Sequence, residues 1–111
     1  DGHTALLSIK FARRPDPIDA IDALVAFRAP EIVRNLPSAP EFPVIVRSEW
    51  DRPQPRRDRD AGRGMSASVG RIRPCPLLDL RMVVLAHNTI RGAAGGALLN
   101  AELLVAEGIV S

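Results

Sequence analysis

This chain has a single cysteine, a single lysine, no apolar run long enough to cross a bilayer and little net charge. The lone Cys75 excludes an internal disulfide and predicts a reducing compartment, the cytoplasm. No segment approaches the ~18 apolar residues that a membrane span needs. The amino terminus carries no signal-peptide pattern, so no membrane partner is expected. Lys10 stands against fourteen arginines, an imbalance read as coding bias ahead of function. The formal charge of +2 requires no polyanionic partner. A length of 111 residues suffices for one small domain or part of one, and not for a dinucleotide domain together with a substrate domain. The opening Asp1, with no start-like segment before His3, is expected of a fragment.

What is present reads as alternating strands and helices. Thr4 to Phe11 mixes alternation with β-branched residues between Gly2 and the Arg13-Arg14-Pro15 break, which predicts a strand. Asp16 as N-cap and Pro17 in the first turn predict a helix with an apolar stripe of Ile18, Ile21, Leu24 and Val25, ending before Pro30. Residues 29 to 43 hold four prolines and are expected to be irregular, with a short turn at Glu31 to Arg34. Val44 to Arg47 is strand-like. Residues 48 to 64, mostly charged and with two prolines and two glycines, are expected as an extended surface excursion that contributes no core. Met65 to Arg73 and Leu77 to Ala86 predict an antiparallel hairpin turned at Pro74-Cys75-Pro76. Thr89 is the expected N-cap of a last helix over 89–106, with Gly108 as its stop. The order predicts an α+β layer, a mainly antiparallel sheet with helices on one face.

The most informative stretch is His87-Asn88-Thr89-Ile90-Arg91-Gly92-Ala93-Ala94-Gly95-Gly96. Three glycines in a helix cost about 1 kcal/mol each relative to alanine. Their retention points to close backbone approach, either to a cofactor or neighbouring domain or to the chain's own sheet. Two residues in this chain suit chemistry. His3, between Gly2 and Thr4 at the mouth of a strand, can present a proton-transfer imidazole, and it can equally be an exposed bystander. Asn88 offers a donor and an acceptor together, as a ligand carboxamide requires, or it serves only the turn. The stretch 47 to 73 holds eight arginines against four acids. With Trp50 alone for stacking and no recognition motif, it reads as an ion-pair network or subunit contact, and no nucleic-acid partner is expected.

The glycine-rich helix is similar to the carboxy-terminal helix of aspartate-semialdehyde dehydrogenases of the archaeal and fungal branch. Asp1-Gly2-His3-Thr4, Leu36-Pro37-Ser38-Ala39-Pro40, Asp51 to Asp60 and Val69-Gly70-Arg71-Ile72-Arg73 resemble that branch in the same order. The resemblance covers nearly the whole chain, as the carboxy-terminal portion of a longer enzyme. It implies the catalytic and dimerisation domain of the glyceraldehyde-phosphate-dehydrogenase-like fold. Sheets of two subunits would pack together in a homodimer or homotetramer. The last helix would lean on an absent amino-terminal Rossmann domain that binds NADP, leaving Leu98, Leu99, Leu103 and Leu104 partly bare.

The resemblance further implies a reaction in which a cysteine thiolate attacks aspartyl phosphate and hydride from NADPH releases the semialdehyde, on the route to lysine, methionine and threonine. His3 would be the catalytic proton shuttle and Asn88 the cofactor-binding residue near the nicotinamide; no metal is expected. Gly92 and Ala93 would let the helix approach the nucleotide domain, and His87 would be a turn residue beside the site. The nucleophile, the phosphate-binding loop and the substrate arginine of the family lie upstream of this stretch, and Cys75 does not match the nucleophile motif. Arg57 stands where the branch usually has an apolar residue. The chain alone is expected to be inactive. Two alternatives stay open: a malonyl-CoA reductase relative, and a dimerisation module without chemistry.

Overall fold

The computed structural model describes all 111 residues, in four strands and four helices. Strand β1 spans His3–Ile9 and stops short of the expected Phe11 because the Phe11 amide turns aside to donate to Asp79 Oδ2 at 2.7 Å. Helix α1 spans Pro17–Ala26. Asp16 caps it as expected, accepting from the Ile18 amide at 3.0 Å. Its stripe is only half covered: Ile21 and Leu24 are half-buried, whereas Ile18 and Val25 stay exposed. A single turn, α2, at Glu31–Arg34 precedes β2, Val44–Arg47. Then come α3, Pro55–Asp58, β3, Ala67–Pro74, and β4, Leu80–Ala86. The chain closes with α4, Gly95–Ala106, terminated as expected by Gly108 at φ +74.

The strands lie in the order β1-β4-β3-β2. β4 pairs antiparallel with both β1 and β3, and the predicted β3–β4 hairpin forms. β2 and β3 are parallel, so the sheet is mixed, with one parallel pair in a mainly antiparallel frame. The residues between them supply the crossover that parallel neighbours need. Val44, Ile45 and Val46 line a shallow pocket with Val25 of α1, while Arg47 and Gly70, paired in register, contact the crossover. A Cβ at Gly70 would lie 2.3 Å from the Arg52 carbonyl oxygen, so only glycine lets the crossover lie flat on β3. The sheet face that bears Arg47 and Gly70 therefore carries the crossover with α3.

The crossover is not the core-free surface loop its composition implied. Pro53 and Asp58 are buried, and the Asp58 side chain is fully enclosed. Its carboxylate accepts from Arg52 Nε at 2.8 Å and Nη2, and from the Gln54 amide at 2.6 Å. Arg47 Nε of β2 lies 2.9 Å away. A carboxylate leaves water only with such partners. A second buried carboxylate, Asp79, closes the far end of the sheet through Phe11, Lys10 and Arg14. Between them lies the apolar core: Met65, Val69, Cys75, Leu80, Met82 and Leu85. The radius of gyration, 15.3 Å, exceeds the about 13 Å of a self-contained domain of this length. Much apolar surface accordingly stays bare, including Leu6 of edge strand β1 at 80% exposure.

The Arg52 hydrogen bond holds Asp58 below its ordinary value of 3.8. Its stabilising contribution is therefore complete above that value and disappears as pH falls from there through the lowered native pKa. In the full-length protein, Asp58→Asn should cost on the order of 3 kcal/mol near neutral pH, because it leaves Arg47 and Arg52 without their anion. Denaturant midpoints of the two proteins should converge on acidification below pH 3.8; a gap that persists unchanged in acid would separate the cost from the charge.

Candidate active site at the end of strands β1 and β4

The amino end of β1 and the carboxyl end of β4 meet, because His3 pairs with Ala86 in the antiparallel register. Asn88, two residues beyond, turns its side chain back so that Oδ1 accepts from the Gly2 amide at 2.8 Å. The two residues singled out from sequence, His3 and Asn88, are thus joined through Gly2 across 86 positions of chain. His3 is exposed and its imidazole has no hydrogen-bond partner within the chain. Asn88 is half-buried. With Oδ1 engaged, what Asn88 offers a ligand is chiefly its NH2 group, narrower than the donor-plus-acceptor role read from its side chain alone.

Gly2 is required twice over. Its φ of +103 disfavours any side chain, and a Cβ there would sit 3.1 Å from Pro55 Cβ and 3.4 Å from Arg59 Cβ. The crossover that Asp58 pins to the sheet is therefore the wall behind the His3 strand entry. Arg56 and Arg57 project from α3 into solvent, so the non-apolar residue at 57 disturbs no packing.

The entry to the last helix differs from its expected form. Thr89 is in helical conformation and makes no side-chain cap. The cap is His87, buried at 6% exposure, whose Nδ1 accepts from the Thr89 and Ile90 amides at 3.3 Å each. Composition gave no signal for this, because a histidine ring nitrogen stands outside the usual N-cap residues. Ile90–Ala94 then forms a π-type turn, with Gly92 and Ala94 donating to the carbonyls of His87 and Thr89. Such a turn brings the carbonyl five residues back close to the helix surface. A Cβ at Gly95 would press on Ile90 O at 2.8 Å and Met65 Sδ at 2.5 Å, and one at Gly96 on Arg91 O at 2.7 Å. These two glycines serve the chain's own packing. Gly92 is different: its Cβ would meet nothing nearer than 3.8 Å, so its surface is open.

Cys75 lies at the other end of the sheet. Six register steps separate the His3–Ala86 pair from the Ile9–Leu80 pair beside the Cys75 turn, about 20 Å at strand rise. It is buried and accepts from the Leu78 amide at 3.4 Å, which with Leu77 holds the thiol below its ordinary value. It cannot exchange a proton with His3. No three metal-ligating side chains gather anywhere in the chain, and no helix is long and apolar enough to cross a membrane.

A sequence profile of the family described as semialdehyde dehydrogenase, dimerisation domain, matches residues 1–91. The chain belongs to this semialdehyde dehydrogenase family. It is 49% identical over 110 residues to an aspartate-semialdehyde dehydrogenase of Archaeoglobus fulgidus, covering 99% of this chain and 31% of that protein. An aspartate-semialdehyde dehydrogenase of Candida albicans is 47% identical over 112 residues, with the same coverage. The crystal structure of the Candida albicans enzyme with NADP superposes with a TM-score of 0.85 over 99% of this chain and 31% of that one. A second enzyme of this name, from Vibrio cholerae, gives 0.72 at 25% identity over 94% of this chain and 27% of that one. The chain spans about a third of the length of the curated relatives it matches. The expected fold of this semialdehyde dehydrogenase chain, α+β with a mainly antiparallel sheet, is thereby matched in solved structures.

Gly2→Ala in the full-length protein should lower stability by about 1–3 kcal/mol, the range for a side chain forced into this backbone region. It should also speed exchange of the amides at the His3 end of β1, read by hydrogen exchange. Unchanged exchange there would mean that Gly2 does not hold the strand entry.

Proposed function

We propose that this chain is the carboxy-terminal portion of an NADP-dependent aspartate-semialdehyde dehydrogenase, reducing L-aspartyl 4-phosphate to L-aspartate 4-semialdehyde with release of phosphate. The observation that carries the reading is the hydrogen bond from the Gly2 amide to Asn88 Oδ1. It holds a free imidazole and a half-buried carboxamide together at one end of the sheet, in a chain whose relatives bear that name over nearly all its length.

Asn88 fits a nicotinamide ring in one respect that can be read from its partners. Its acceptor is occupied and its NH2 is unspent, so it can donate to a carboxamide oxygen. The open surface at Gly92 beside it gives room for approach. When bound, NADPH supplies the hydride that reduces the acyl carbon. His3 acts on protons. It accepts the one that leaves a cysteine thiol, supplied from outside this chain, as the sulfur attacks the acyl carbon. Phosphate departs with its bonding pair and is protonated from solvent. His3 returns its proton to the sulfur when the carbon–sulfur bond breaks and the aldehyde leaves.

The rest of the parent supplies the surroundings. Leu98, Leu104 and Val105 of α4 remain exposed at 55%, 41% and 55%, an apolar face suited to an amino-terminal nucleotide domain, and the sheet suits a second subunit in a dimer or tetramer. The protein would act in the cytoplasm, in the synthesis of lysine, methionine and threonine.

In the full-length protein, His3→Ala should lower kcat by about 10²–10⁴-fold, the usual worth of a positioned acid–base, with little change in the unfolding midpoint. Asn88→Ala should raise KM for NADP and, by removing the acceptor of the Gly2 amide beside His3, also lower kcat. The assay is phosphate-dependent NADP reduction with aspartate semialdehyde. Near-normal turnover of His3→Ala would remove it from the mechanism. A folded protein inactive on this substrate but active with malonyl-CoA would move the assignment to that relative, and inactivity with both would leave a dimerisation module.

A further inference from the structure

His87 is the least explained buried group in the chain. Only 6% of it is exposed, it lies on no strand or helix, and its ring nitrogens and carbonyl oxygen each face another segment. Nδ1 faces the amides of Thr89 and Ile90 at 3.3 Å, with Thr89 Oγ1 at 3.2 Å. Its backbone carbonyl accepts from the Gly92 amide at 3.0 Å. Nε2 lies 3.9 Å from Asp60 Oδ1, in the crossover just past Arg59, which backs Gly2. Two N–H donors converge on Nδ1, so that atom bears no proton and Nε2 carries the ring N–H, on the side of Asp60.

We propose that His87 is a positioning residue for the site: by capping the π-type turn with Nδ1 it fixes the peptides on both sides of Asn88, and so aims the Asn88 carboxamide at the Gly2 amide and at the ligand. This rests on the reading of Asn88 as the nicotinamide contact. The geometry leaves Asn88 little alternative. It sits between a residue held by two helix amides and a helix start held by that residue's carbonyl. The chi angles of Asn88 are then all that remains to be set, and the Gly2 bond sets them. Without the cap, the Thr89 and Ile90 amides would need other acceptors, and Asn88 Oδ1, one and two residues before them, is a side-chain acceptor that competes for them. It would be drawn off Gly2, releasing the His3 strand entry with it.

The ring can be dissected. Asparagine places an acceptor oxygen at the distance of Nδ1 from the backbone, whereas glutamine places its polar atoms at the distance of Nε2. In the full-length protein, His87→Asn should keep kcat/KM for NADP within about threefold, and His87→Gln should lose about tenfold, the factor that one hydrogen bond of ~1.4 kcal/mol carries. In an Asn88→Ala background, His87→Gln should cost nothing further, because residues that act through one another are not additive. Hydrogen exchange supplies a readout independent of turnover: the Gly2 amide should exchange faster in His87→Gln and remain protected in His87→Asn, with Val84 at mid-strand unchanged in both. An inactive parent would overturn the functional reading while exchange still decided the role of His87. Multiplicative losses in the double variant, or equal Gly2 exchange in all three proteins, would overturn the role proposed here.

Discussion

One buried carboxylate sets where everything near the site lies. Asp58 has no exposed surface, and an ionised carboxylate so placed is tolerable only while Arg52, Arg47 and the Gln54 amide surround it. Such a cluster is weak evidence of net stability, since an apolar replacement of similar shape often does as well. What it supplies is position. Arg47 belongs to β2, Arg52 to the segment lying over Gly70, and Asp58 to the end of α3, so satisfying one anion fixes three pieces of chain against one sheet face. Pro55 and Arg59, on either side of Asp58, are then where they must be to contact Gly2. The site at the amino end of β1 is held in place by an ion cluster that touches neither His3 nor Asn88.

The antiparallel pairing of β1 with β4 does the second part of the work. Pairing His3 with Ala86 brings residues more than eighty positions apart to one end of the sheet, and pairing Ile9 with Leu80 sends Cys75 to the other. The same register thus assembles one candidate pair and excludes another. Asp79 secures that far end, and with Asp58 it frames a thin core in which few side chains are fully enclosed. Such a core leaves much apolar surface exposed, Leu6 and Leu98 among it.

What could be read in the sequence was what local physics decides. The Asp16-Pro17 start of α1, the Val44–Arg47 strand and the Gly108 stop each depend on residues within a few positions, and each formed as read; the β3–β4 hairpin formed too, but with its turn shifted to residues 75–79, because Pro74 pairs with Leu80. Three features escaped because their causes lie far along the chain or outside common patterns. The crossover looked like solvated loop because alternating Arg and Asp normally is one; only the fold brings Arg47 and Arg52 around a single acid. The parallel pairing of β2 with β3 followed from that crossover. The helix entry looks in sequence like a threonine cap, whereas the ring of His87, expected only as a turn residue beside the site, takes the role.

The glycine-rich entry divides between the two readings the sequence left open: packing inside the chain accounts for some of its glycines and not for another. Gly95 and Gly96 are consumed internally by the wide turn and by Met65, which is a packing requirement. Gly92 meets nothing within ordinary contact distance beyond the His87 carbonyl, so packing inside this chain does not account for it. The wide turn couples the two. Its five-residue spacing begins at the His87 and Thr89 carbonyls, on either side of Asn88, and the glycines that permit it are those whose side chains would collide with carbonyls displaced toward them. A residue other than glycine at 95 or 96 would therefore act at a distance, by forcing the turn toward ordinary helical spacing and shifting the peptide that carries Asn88.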